Sequence, residues 1–206
     1  MMNTTTNQQL DETIRRIEGA YAPATIRAYR ADFEAFIYFC SALGEEALPA
    51  SPTAVAQFVE NLASTNHKSS SIRRAIAGIS AIHRLNRLTD PTKDPDVTLE
   101  MRRMHRQLGR FSKQAYAIDA NILEKLLGAT DNSIQGIRNR ALLLVAYDTL
   151  CRRSELVSLR REDIQVERNS SSEPISSRIL LRRSKTDPYA QGYPFTGFDQ
   201  AAIFSI

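Results

Sequence analysis

Arg152 and Glu155 stand three residues apart, just past the point where an apolar helical pattern, Ala141 to Ala146, gives way to a short polar turn. A guanidinium in such a turn can offer two N–H donors at once to the oxygens of a tetrahedral oxyanion. That suits phosphoryl transfer, in which charge builds on the nonbridging oxygens. The plainer reading is a helix-end arginine paired with a glutamate one turn on. Downstream, Lys185 follows a strand-like run, Arg178-Ile179-Leu180-Leu181, and precedes the turn Asp187-Pro188. A mobile ammonium close to a phosphate suits general-acid work; a surface hairpin lysine is the alternative.

A second group of cations precedes these. Arg102, Arg106 and Arg110 recur every four residues, on a face offset from Met101, Met104 and Leu108. Arginines at that spacing can follow a phosphate backbone, because each guanidinium carries fixed donors. Arg73, Arg84 and Arg87 share a side of the preceding helical pattern, with Arg74 nearby and Lys68 ahead. Either row alone reads as solvated surface. Two such rows flanking the basic stretch Gly109 to Ala117 point to a polyanion-binding face.

The elements that must position these residues follow from periodicity. Residues 1–19 lack an apolar pattern beyond Ile14 and Ile17 and are expected to form a flexible leader. Ile26, Tyr29, Phe33, Phe36, Ile37 and Cys40 then recur at helical spacing, ending before Gly44. Ser51 and Pro52 open a second helix that carries Val55, Phe58, Val59 and Leu62. A third carries Ile72, Ile76, Ile79 and Ile82, and a fourth carries Val97, Met101, Met104 and Leu108. Together they predict a four-helix bundle over residues 20–110. Residues 111–117 read as a linker. Asp119 caps a helix with Ile122, Leu123, Leu126 and Leu127, and another runs around Arg138 to Thr149 before a turn and a small β-hairpin.

Composition agrees with this outline. The 206 residues are 42% hydrophobic and 24% charged, enough to bury a core in one large or two small domains. The net charge of +4 is modest, but basic residues crowd between Lys68 and Lys113. No apolar run is long enough to span a membrane, and the polar start, Met1 to Gln9, lacks the basic and apolar regions of a secretory signal. Cys40 and Cys151 are read as free thiols, and no paired Cys/His spacing predicts a zinc site.

The segment Thr149-Leu150-Cys151-Arg152-Arg153-Ser154-Glu155-Leu156 resembles the first arginine box of the tyrosine recombinases, the phage integrase family. Leu150 stands where the family usually has glycine. Arg153 stands where it usually has an apolar residue, so the register between Arg152 and Arg153 is open, with Glu155-Leu156 favouring Arg152. Arg182 to Asp187 resembles the family's hairpin lysine motif. The bundle resembles its core-binding, SAM-like domain: Ala22 to Tyr29 with Thr25 and Arg27 at the first helix, Ser71-Ile72-Arg73-Arg74 and Ile82-His83-Arg84 on a DNA-facing helix, then Met101-Arg102-Arg103 and Lys113-Gln114-Ala115 at the exit and linker.

The resemblance implies a mainly α protein: the N-terminal bundle, then an incomplete α+β catalytic domain over residues 118–192 and an aberrant tail over 193–206. It implies double-stranded DNA as partner, bound through Thr25, Arg27, Ser71, Arg73, Arg74, Arg84, Arg102, Arg106, Arg110, Lys113 and Gln114. Arg152, Glu155 and Lys185 are the implied catalytic residues: phosphate stabiliser, orienting partner, and acid for the leaving 5′ oxygen. No metal or nucleotide cofactor is implied. A second copy or a full-length recombinase on the same DNA is, as is a cytoplasmic, nucleoid-associated location. The family also uses a His-x-x-Arg box, a further His or Trp and a nucleophilic tyrosine beyond the hairpin. His67, His83 and His105 all precede Arg152, and no arginine follows Arg183. The expectation is therefore a DNA-binding but catalytically incomplete chain. A non-catalytic competitor of a full-length recombinase and a helical protein–protein interaction domain remain as alternatives.

Overall fold

The computed structural model describes residues 2–110, 114–168, 174–182, 184 and 193–197. They divide into two compact units, residues 1–114 and 115–206. The first contains α1 (Met2–Ile17), α2 (Pro23–Leu43), α3 (Pro52–Ser64), α4 (Ser69–Leu85), a 3-10 turn at Pro91–Lys93, and α5 (Pro95–Leu108).

The four sequence-predicted helices are α2 to α5. Ser51 Oγ accepts the Ala54 N–H at 3.1 Å ahead of Pro52, and Gly44 closes α2 in the left-handed region at φ 73°. Phe33 and Phe36 of α2, Val55 and Phe58 of α3, Ile72 and Ile79 of α4, and Val97 and Met104 of α5 fill one core. The rings of Phe36 and Phe58 lie 5.1 Å apart. Cys40 is buried within it and free; burial, then the Glu45 charge, push its thiol up to about 12, which makes it inert.

Residues 1–19 are not a flexible leader. Leu10, Ile14 and Ile17 of α1 are buried in the same core. The stripe is hard to read in the sequence because threonines complete it: Thr6 and Thr13 are buried too. Thr13 satisfies its hydroxyl by donating to the Gln9 carbonyl at 2.7 Å and accepting from Asn86 Nδ2 at 3.0 Å. The Arg30–Asp11 ion pair at 2.6 Å and an Arg16 bond to the Leu85 carbonyl tie α1 to α2 and to the end of α4.

The second unit contains α6 (Ala120–Gly128), α7 (Ile134–Thr149), α8 (Arg153–Leu156), a 3-10 turn at Arg161–Asp163, and strands β1 (Ile164–Arg168), β2 (Pro174–Leu181) and β3 (Tyr193–Gly197). The strands form an antiparallel sheet in the order β1-β2-β3, with Ile179 opposite both Ile164 and Phe195. The hairpin expectation is thus too small, and the boundary drawn after residue 192 cuts through a sheet. Pro194 fits in β3 because β3 is an edge strand, where a missing N–H is tolerated. Val145, Ile179 and Leu181 form the small core, with Cys151, Leu156 and Leu159 packed on it. Asp119 caps α6 by accepting the Ile122 N–H at 2.8 Å. Among the described residues no helix is long and apolar enough to cross a membrane.

Candidate functional site

The α7–α8 junction is built by local backbone geometry. Thr149 ends α7 with its hydroxyl donating to the Val145 carbonyl at 2.6 Å. Leu150 then adopts φ 50° and ψ 26°, the left-handed conformation in which a helix commonly terminates on glycine. Its side chain is left exposed. The reversal carries the chain through Cys151 to Arg152, which starts α8 in an extended conformation.

Glu155, buried in the first turn of α8, holds Arg152 twice. Its Oε2 accepts the Arg152 backbone N–H at 2.7 Å and its Oε1 accepts Nη1 at 3.0 Å. The arginine side chain stays 54% exposed while the glutamate side chain is 6% exposed. A guanidinium fixed from behind and open in front is arranged to receive an oxyanion with little reorganisation. Arg153 is exposed and makes no ion pair among the described residues, so the orienting bonds fall on Arg152.

Arg182, at the end of β2, supports the same unit from the sheet. Its Nε donates to Asp163 Oδ1 at 2.5 Å and its Nη2 to Glu162 Oε1 at 3.4 Å. Asp163 also accepts the Arg160 N–H at 2.9 Å. Burial works to raise the Asp163 pKa, but the Arg160 N–H and the Arg182 bond and charge hold it below its ordinary value. Lys185 and Lys113 lie outside the described residues.

The sequence-predicted polyanion face falls on the first unit. Arg73, Arg84, Arg102, Arg106 and Arg110 are exposed, as are Arg27 and Gln114; Thr25 and Ser71 are half-buried. Arg73 and Arg84, eleven residues apart on α4, fall close to one helical line, separated by roughly 16 Å of axis. Arg74 is turned elsewhere. Its Nε and Nη2 fork onto both oxygens of the buried Asp32 at 2.8 and 2.9 Å, clamping α4 to α2.

Two residues join this face that the sequence reading did not single out. Ser69 Oγ lies 3.1 Å from His105 Nδ1, which brings the start of α4 against α5. Burial, then the charges of Arg110 and Arg73, lower the pKa of the His105 ring. The signal in the sequence is the position of His105 between Arg102 and Arg106. Among the described residues no group of three or more His, Cys, Asp or Glu is placed to hold a metal.

Comparison with known proteins bears on both units. Residues 9–87 match the N-terminal SAM-like domain of phage integrases, and residues 117–179 match the phage integrase family. This chain belongs to the tyrosine recombinases, the phage integrase family. Its fold is that family's SAM-like helical domain together with part of the catalytic domain, mainly helical with a small antiparallel sheet. An integrase/recombinase xerD homolog from Selenomonas ruminantium is 29% identical over 86% of this chain and 51% of the relative. The recombinase cre of Escherichia phage P1 is 29% identical over 61% of this chain and 38% of the relative. The chain thus spans about half the length of the first recombinase and less of the second.

Proposed function

We propose that this chain is the DNA-gripping portion of a site-specific tyrosine recombinase, acting on double-stranded DNA in the cytoplasm at the nucleoid. The exposed arginines of α4 and α5 hold the phosphate backbone, and Thr25, Arg27, Ser71, Lys113 and Gln114 add to the grip. Arg152 engages the nonbridging oxygens of the scissile phosphate, Glu155 positions it, and Lys185 donates a proton to the leaving 5′ oxygen. The observation that carries this reading is the twofold grip of buried Glu155 on half-exposed Arg152, within a chain that matches the family in both units.

In strand exchange a tyrosine hydroxyl attacks phosphorus, the P–O5′ bond breaks, and a 3′-phosphotyrosine forms without metal or nucleotide. The 206 residues contain no His-x-x-Arg after Arg152. Tyr193 starts an edge strand rather than lying on a helix, and Tyr189 lies outside the described residues. We therefore expect these residues alone to bind duplex DNA and form no covalent adduct. Occupying a recombination site beside a second copy or a full-length recombinase is the second reading, which the exposed arginines of α4 and α5 support equally.

A fluorescence titration with duplex DNA at two salt concentrations tests the binding. Affinity should fall steeply as salt rises, and replacing Arg102, Arg106 and Arg110 with alanine should flatten that slope by up to about one unit per lost phosphate contact. Absent or salt-indifferent binding contradicts the proposal. A nicked suicide substrate analysed by denaturing gel should yield free protein only. An adduct would contradict the expectation.

A further inference from the structure

The contact between Ser69 and His105 lies among cations. Ser69 is buried at the first turn of α4, Arg73 follows one turn later, and Arg110 lies just beyond the end of α5. On α5 itself, Arg102 precedes the ring by three residues and Arg106 adjoins it. The other elements packed on α5 direct their charges elsewhere. Glu60 of α3 acts on Arg103, and Lys93 of the 3-10 turn acts on Asp90. The charges felt by the His105 ring are therefore those of Arg110 and Arg73, and both are positive.

We propose that Ser69, Arg73, His105 and Arg110 form a phosphate-binding cluster in which protonation of His105 sets the affinity for duplex DNA. The inference rests on the DNA-binding reading above and adds its regulation. In the free protein the half-buried ring faces two guanidinium charges and stays neutral near pH 7. A DNA phosphate seated beside Arg73 and Arg110 offsets those charges and supplies an acceptor. Protonation then makes both ring nitrogens donors, Nδ1 to the Ser69 hydroxyl and Nε2 to the phosphate. Binding takes up a proton, so by linkage affinity must rise as pH falls. The effect is reciprocal: bound DNA raises the pKa of the ring.

The test is DNA affinity of the whole chain at fixed salt from about pH 8 to about pH 5.5, with a short duplex of arbitrary sequence. A one-unit rise in the ring pKa on binding would strengthen binding several-fold across that range, approaching about tenfold only below both ring pKa values. His105→Gln should remove this gain, and His67→Gln, which alters the exposed histidine beside Lys68, should retain it. An NMR titration of the histidine rings with and without the duplex supplies a readout that needs no variant. The His105 pKa should rise on binding. Salt-sensitive binding with the same pH dependence in wild type and His105→Gln, or a ring pKa unmoved by DNA, would overturn the cluster while leaving the DNA-binding reading intact. Absence of any salt-sensitive binding by the wild type would overturn both.

Discussion

One carboxylate, that of Glu155, binds Arg152 through both the backbone N–H and the guanidinium, at 2.7 and 3.0 Å. The two bonds do different work. The first starts α8 and satisfies an N-terminal amide; the second aims the side chain. The partners differ in exposure, with the arginine side chain at 54% and the glutamate side chain at 6%. Loss of each should therefore cost differently.

Glu155→Ala should destabilise the second unit by about 2 kcal/mol, because a buried acceptor for two donors disappears. Arg152→Ala should cost less than about 1 kcal/mol, since a half-exposed guanidinium is screened by solvent. Urea unfolding followed by amide exchange in β2 reports on that unit. The reverse order of cost would mean that Arg152 is a structural arginine and not one held open for a ligand.

Leu150 occupies a left-handed conformation with its side chain in solvent. A Cβ there is strained, and no burial of the leucine compensates for it. Leu150→Gly should stabilise the second unit by roughly 0.5–1 kcal/mol, and Leu150→Val, β-branched at positive φ, should destabilise it. Equal stability of the two variants by thermal melting would show that the turn can be rebuilt in another conformation.

Gly136 is required for a different reason. A Cβ at this position would sit 2.1 Å from both the carbonyl oxygen and Oδ1 of Asp131. Neither atom can retreat freely. Ser133 Oγ bridges Asp131 Oδ1 at 2.6 Å to the Gly136 N–H at 3.0 Å, and Arg140 reaches the Thr130 hydroxyl at 3.0 Å. Gly136→Ala should lower the melting temperature of the second unit by about 5–10 °C. A melt unchanged within a degree would mean that the α6–α7 turn yields without cost.

What the sequence made legible was local. The Arg152–Glu155 pairing lies within one helical turn, and caps such as Ser51 and Asp119 announce themselves by residue type a few positions ahead of an apolar run. Relations made across the chain were not legible. Arg74 reads as a DNA-facing cation until Asp32, 42 residues away, engages its Nε and Nη2. His105 gains its setting from Ser69, 36 residues earlier. The first helix was hidden because buried threonines break an apolar stripe that their hydrogen bonds make tolerable. The third strand was hidden because residues 193–206 read as an aberrant tail, and its pairing with β2 is a relation across the chain.

His83 gives the first unit a predictable acid limb. Burial lowers its pKa, outweighing the Ile79 carbonyl bond and the Asp90 charge, which raise it. The neutral ring donates from Nδ1 to the Ile79 carbonyl at 2.8 Å and accepts the Ala50 N–H at Nε2, 3.0 Å away. A second ring proton would face that N–H, so the fold binds protons less readily at His83 than the unfolded chain does. Its contribution is fully present above the unfolded value of about 6.5 and is lost as pH falls from there towards the lower folded value. Chemical denaturation of the first unit between about pH 7 and pH 5 should show stability falling with pH in this window. His83→Gln should be less stable at neutral pH, by about 1–3 kcal/mol, but should show a flatter dependence. Parallel curves for wild type and His83→Gln would remove the buried ring as the source of the acid limb.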